Sequence, residues 1–462
     1  MRDARSRGAW LGVVCLVNSI AVQAQPLDRQ GEDPSRQPAH PGDLQDSWGD
    51  HGRVQLRDAS GSYHDYATSL LLDSGKILVG GEWANGSGSG FLLGRINRDG
   101  TPDKTFGQEG VLEEPTSTAL ESRRERITRL LALASGQVLA VGYSAALVPG
   151  VANKLTDYDI ILKRYLPDGT TDESFGQGGV VRLDLGGDDY PMDLAQAGDG
   201  GIYIAGASGK AGVLIKLLVD GRIDPQFARW VGEPGVLKLT REESFLYALL
   251  VDRDGRVLVT GYESKSLGNP QIYVARFLAD GRLDETFGTS GEVVGRVPGA
   301  GAGGLAVEDP SLAGDCAAGG IEILPLGKIL VSGQCSLGPV LLRFNSDGTR
   351  DDYFGNGGSM RLQNTLSSMQ SGTAPRLALQ SDGKILLTGT LWDSSNGQTD
   401  FAVARFGVYG GLDASFGRSG VARAEMGSMG RARFVLVGSE GRILVGGTIG
   451  PPQGLGWAEF TP

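Results

Sequence analysis

The chain has 462 residues and a formal net charge of −11, a balance that repels phosphate backbones and argues against a nucleic-acid partner. Glycine accounts for 74 residues, roughly twice its usual share. Together with many short apolar runs, this points to an all-β protein rich in turns.

Arg2, Arg5 and Arg7 precede a mostly apolar run from Ala9 to Ala21, and Val22-Gln23-Ala24 offers a small-x-small cleavage pattern. Residues 1–24 therefore read as a signal peptide, with Gln25 as the mature N-terminus and the periplasm or cell exterior as the destination. The apolar run is too short to span a bilayer, so no membrane insertion is expected. Loss of three Arg and one Asp would leave the mature chain at −13. Residues 25–41, polar and proline-rich, read as a flexible linker, and residues 42–462 as the folded domain.

Two apolar motifs then alternate along the chain. The first is a turn followed by an apolar run that ends in glycine: GKILVGG (75–81), GQVLAVG (136–142), GGIYIAG (200–206), GRVLVTG (255–261), GKILVSG (327–333), GKILLTG (383–389) and GRILVGG (441–447). Apolar on both faces, these are strands buried on both sides. The second motif runs from FLLGRI (91–96) through IILKRY, GVLIKL, IYVARF, PVLLRF and FAVARF to WAEF (457–460).

A turn of strict spacing follows the second motif. From its basic residue, Asp stands at +4 and +8 and Phe at +11, as in Arg164-Asp168-Asp172-Phe175; in the sixth copy Tyr409 replaces the first Asp. The seventh copy is split: GDLQDSWGDHGRV (42–54) supplies its second half, with Trp48 in the Phe position, and the chain stops at WAEFTP. A closed ring whose last unit is shared by both ends explains the split; an open solenoid does not. Six steps from Trp48 to Phe416 average about 61 residues, enough for four strands and their loops. The expected fold is a seven-bladed β-propeller of four-stranded blades. A fourth strand that alternates apolar with polar residues, such as VVRLDL (180–185), belongs at each outer edge.

The pairing of a DGKILVAG-like strand with R[FY]xxDGxxDxSFGxxG resembles the delta-60 repeat family of secreted bacterial propellers over residues 42–462. The resemblance implies a propeller and export, and no particular activity.

Chemistry-bearing motifs are few. The repeated Asp pairs offer only two carboxylates per turn, against the six to eight oxygens of a calcium site, and Asp before Gly ordinarily bonds its own backbone. No metal site and no cofactor are expected. GASGKAG (206–212) lacks the Ser or Thr of a phosphate loop, and no GxSxG is present. The three histidines are His40, His51 and His64. The expected role is thus a non-catalytic binding or scaffold propeller, monomeric, with a glycan or a protein or peptide as ligand. The alternative is a carbohydrate-active enzyme of glycosidase or lyase type, which would be marked by carboxylates of raised pKa converging in the central channel.

Ligand contacts are expected where the repeat varies. The first-to-second and third-to-fourth connections are constant turns. The other two vary in length, lie on the opposite face, and hold aromatics beside acids: Trp83, Tyr143, Tyr262 and Trp392 near strand exits, with Tyr63, His64, Asp65, Asp188, Asp189 and Tyr190 before first strands. Cys316 and Cys335 flank the hairpin that turns at Pro325-Leu326-Gly327, nearly opposite one another, and are expected to form a disulfide.

Overall fold

The computed structural model describes residues 40–56, 63–115, 123–295, 316–362 and 376–462, apart from breaks of one to six residues within these stretches. Twenty-eight strands, numbered in chain order, form seven four-stranded antiparallel sheets. The first blade is β2 (Tyr63–Leu71), β3 (Ile77–Asn85), β4 (Gly88–Ile96) and β5 (Val111–Glu113), paired in that order. The innermost strands of the next five blades are β6 (Arg123–Ala132), β10 (Asp189–Gln196), β14 (Glu243–Val251), β18 (Cys316–Ile323) and β22 (Leu377–Leu379). The seventh blade holds β26 (Gly430–Val437), β27 (Ile443–Ile449) and β28 (Gly454–Phe460), and its outer strand is β1 (Arg53–Leu56). β1 pairs antiparallel with β28, Arg53 opposite Ala458 and Leu56 opposite Leu455. The innermost strands touch one another in turn, and β26 meets β2 to complete the circle.

The apolar runs become second strands, and their side chains fill seven cores. Most of these cores lie between consecutive blades, as with Leu139, Val141, Ile204 and Ile215 between the second and third. Both faces of such a strand are covered, which is why the sequence shows no alternation there.

The spaced turn is a latch between blades. In the second blade, Arg164 Nε donates to Asp172 Oδ2 at 2.8 Å, and its guanidinium lies 4.7 Å from the centre of the Phe175 ring. Nη1 of the same arginine reaches the next blade, donating to the Val219 carbonyl at 2.8 Å. Phe175 is fully buried, and a Cβ at Gly221 of the next turn would sit 2.9 Å from its ring. Gly176 N–H completes the contact by donating to the Asp220 carbonyl at 2.8 Å. The Asp at +4 accepts from the backbone two residues on, as Asp168 Oδ1 does from Thr170 at 2.9 Å. Both carboxylates are thus committed to the turn. The ends of the chain supply the last latches. Gly417 N–H donates to the Pro41 carbonyl at 2.7 Å, and Trp48 Nε1 donates to the Arg98 carbonyl of the first blade at 3.0 Å.

Six of the seven innermost strands carry a one-residue bulge, as between Pro191 and Asp193. In β18 it sets the register of the cysteines. Ile323 faces Ile329 below the bulge, and Cys316 faces Cys335 above it. The two form the disulfide, with Cα atoms 4.1 Å apart. The bridge closes a loop with a sequence separation of 19, for which chain entropy suggests about 3 kcal/mol of stabilisation. Reductant should therefore lower the unfolding midpoint of the wild type and leave that of a Cys316→Ala, Cys335→Ala variant unmoved. Equal midpoints with and without reductant would remove the bridge from the account of stability.

No helix among the described residues is long and apolar enough to cross a membrane. The segments read as signal peptide and linker lie, up to residue 39, outside the described residues.

Candidate functional site

First strands begin, and second strands end, on the face opposite the latches. On that face, three consecutive blades bring six rings together. Tyr143 lies on the second strand of the second blade, and Tyr158 stands across the hairpin, opposite Ala145. Tyr190 opens β10, Phe245 and Tyr247 lie on β14, and Tyr262 faces Phe245 on the adjacent strand. Ring centroids are 5.0 Å apart for Tyr143 and Tyr158, 4.6 Å for Tyr158 and Tyr190, and 6.5 Å for Tyr190 and Phe245. Phe245 then stacks with Tyr247 at 4.8 Å and with Tyr262 at 6.3 Å. The result is a continuous arc of half-buried aromatic surface across the second, third and fourth blades.

Acids border the arc at its second-blade end. Asp157, Asp184 and Asp188 are exposed, and Asp159 is half-buried. Arg123 binds two of them, donating to Asp157 Oδ2 at 2.8 Å and Asp159 Oδ2 at 2.5 Å. Burial raises the Asp159 pKa, Arg123 opposes the rise, and Asp157, Asp184 and Asp189 add to it. Burial, then the neighbouring Tyr158 and Asp188, push the Tyr190 hydroxyl far above its usual range. Burial followed by Glu243 raises Tyr262. These hydroxyls remain protonated and can donate to a ligand at any physiological pH.

The residues singled out in the sequence divide accordingly. Tyr143, Tyr190 and Tyr262 belong to the arc, and Asp188 stands beside it. Asp189 is wholly buried and accepts from Leu185 N–H at 2.7 Å, so it shapes the turn and is not offered to a ligand. Trp83 is a correction of the same kind. It packs in the core shared with the seventh blade, and its indole N–H donates to the Glu114 carbonyl at 2.8 Å. Trp392 is 49% exposed but belongs to the sixth blade, away from the arc. Tyr63, His64 and Asp65 open β2, paired with Ala84, Trp83 and Glu82, and only their backbone is described. Tyr158, Phe245 and Tyr247 were not anticipated. The signal for the last two was Phe-x-Tyr, two rings on one face of a strand at its loop end.

The central channel holds its own charged groups. Arg129 Nε donates to Asp193 Oδ1 at 2.6 Å, and Asp193 Oδ2 accepts from Leu249 N–H at 3.0 Å. Burial, reinforced by Asp193 and opposed by Arg129, lifts Glu322 to about 8. Among the described residues no group of three or more His, Cys, Asp or Glu is placed to hold a metal.

Comparison with known proteins agrees with the repeat architecture. The model of a domain of unknown function, the DUF5122 beta-propeller, matches residues 73–106, 253–287, 327–354 and 380–416, within four of the seven blades. No curated protein matches the sequence. Among solved structures, a protein of unknown function from Bacteroides caccae is similar at 13% identity, covering 76% of this chain and 98% of its own, with a TM-score of 0.38. Sqt1 from Chaetomium thermophilum is similar at 12% identity, over 84% of this chain and 92% of its own, with a TM-score of 0.40. Drosophila Plexin A, in complex with Semaphorin 1b, is similar at 11% identity, over 91% and 88%, with a TM-score of 0.42.

Proposed function

We propose that this propeller, built from repeats of a family without an assigned role, is an exported binding protein that holds a glycan or peptide on the aromatic arc. One observation carries the reading: six rings from three blades form a continuous half-buried surface on the variable face. Flat aromatic surfaces with polar tips suit sugar rings and extended peptides. A disulfide is at home in an oxidising compartment, which supports export, as does the likeness of the repeat to the secreted delta-60 family. The acids at the border favour neutral or cationic ligands over anionic ones.

A carbohydrate-active enzyme has one observation on its side, the raised pKa of Glu322 in the channel. Glycoside hydrolysis uses a second carboxylate that is free to act as base or nucleophile. Asp193 does not offer one, because Arg129, Leu194 N–H and Leu249 N–H all donate to it. Binding is therefore the better reading.

The test is a glycan and peptide array, followed by titration of a hit. Changing Tyr158, Tyr190 and Tyr262 together to Ala should weaken binding about a hundredfold, at roughly 1 kcal/mol for each lost stacking ring, with the fold retained. Tyr353 and Tyr409, exposed on the latch face at 82% and 69%, are the control, and their replacement should change nothing. Binding that survives the triple change and is lost with the control pair would place function on the other face.

A further inference from the structure

Four of the charged side chains on or beside the innermost strands take no part in the aromatic arc. Arg129 lies on β6, Asp193 on β10 and Glu322 on β18, while Arg376 immediately precedes β22. They come from the second, third, fifth and sixth blades. Asp193 and Arg129 nevertheless act electrostatically on both Glu322 and Arg376. Blades two or more places apart share no interface, so these groups face one another across the axis of the ring.

Two of the four neutralise each other. Arg129 and Asp193 form an ion pair at 2.6 Å whose side chains are 11% and 7% exposed. Arg376 is engaged only through its main chain, with its carbonyl accepting from Thr388 N–H at 3.0 Å and its own N–H donating to Thr388 Oγ1 at 3.2 Å. Its guanidinium has no hydrogen-bond or ionic partner among the described residues. Arg129, Asp193 and Arg376 all occupy the first-strand position opposite the fourth residue of the second-strand run, facing Val141, Ala205 and Thr388. On the other blades that position is Thr68, Ala248, Gly320 and Phe434, none of them charged. The half-buried Arg376 guanidinium is thus left without an ion pair of its own. Burial, with Arg129 adding to it and Asp193 opposing, lowers the Arg376 pKa to about 9.

We propose that Arg376 binds a monoanionic carboxylate in the central channel, with its guanidinium fork gripping both carboxylate oxygens. A half-buried charge without a partner is costly, and a planar fork matches a carboxylate bidentately. The carboxylate belongs either to a free small acid or to an acidic residue of a polymer. This inference is independent of the aromatic arc and would stand if the triple tyrosine variant bound normally.

The experiment is thermal unfolding of the mature protein at constant ionic strength, with chloride replaced by acetate, glucuronate or trigalacturonate. The wild-type midpoint should rise and saturate with at least one of them. Arg376→Gln should melt no lower than wild type in chloride and show no rise. Saturation with acetate or glucuronate assigns a free acid; a rise with trigalacturonate alone assigns a polymer. If Arg376→Gln does not fold, Arg376→Lys keeps the charge without the fork and should bind at least tenfold more weakly. A wild type indifferent to all three anions overturns the proposal. So does an Arg376→Gln variant that responds as wild type does, or an Arg376→Lys variant of unchanged affinity.

Discussion

A chain lacking residues 454–462 should have no cooperative unfolding transition. This deletion removes β28, every residue of which is buried, including Trp457, Leu455 and Phe460 at no more than 1% exposure. Burying each such side chain contributes about 1.5–3 kcal/mol. Three of them together approach the whole stability of a typical domain, about 5–15 kcal/mol. The loss does not stop there. β1 loses the strand it pairs with, β27 loses its outer neighbour, and the anchors of the N-terminal segment go too, such as the bond from Gly42 N–H to the Thr461 carbonyl at 2.9 Å. Two edges are then left open to aggregation. Differential scanning calorimetry of the purified variant is the measurement, and a transition at the wild-type temperature would contradict a ring closed by its two ends.

Phe287→Ala should cost about 3–5 kcal/mol, the range for truncating a buried aromatic without relaxation of its surroundings. Phe287 is fully buried beneath the Arg276 guanidinium, 4.8 Å from its ring centre. Its other side meets the next blade at Gly348, whose φ of +84° and lack of a side chain let the turn close over the ring. A Cβ there would stand 3.0 Å from the ring and 2.7 Å from Gly288 N. The cavity cannot collapse easily, since Gly288 N–H holds the Asp347 carbonyl at 2.7 Å and Arg276 holds Ser346. Urea unfolding of both proteins measures the loss, and a difference below about 1 kcal/mol would mean that the latch is not where the blades are joined. Arg276→Met should also destabilise, because it keeps the packing over the ring but leaves the buried Asp284 carboxylate without its ion-pair partner.

The repeat was legible because each of its parts answers to a local rule. Second strands covered on both faces read as unbroken apolar runs, and the Arg-Asp-Phe spacing is one latch written six times. The cysteine register was off by one for a single reason, the bulge at Gly319, which no hairpin count reveals. The site was harder. Tyr143, Tyr190 and Tyr262 stood out beside variable loops, but Trp83 looked the same in sequence and turned inward, since nothing local fixes which face of a strand end is covered. Phe245 and Tyr247 were hidden inside an apolar stretch that reads as core. The channel charges carried a signal that went unread. Glu322 interrupts the apolar end of β18 in IEIL, and Arg376 stands immediately before the apolar β22 in PRLAL. A charge in such a run is costly unless something answers it, and only the closed ring brings the four together.

The pairing of Arg53 with Ala458 sets the order in which the molecule can be made. The N-terminal strand of the ring is the last to find its place, because its partner is the last of the ring's strands to be synthesised. Until then six blades can assemble in sequence while the N-terminal strand waits with both edges free. Contacts so distant along the chain slow folding and prolong the life of open intermediates. Refolding from denaturant should therefore show a late phase, reported by Trp457 and Trp48 as the seam closes, that blades joined only to their neighbours do not share.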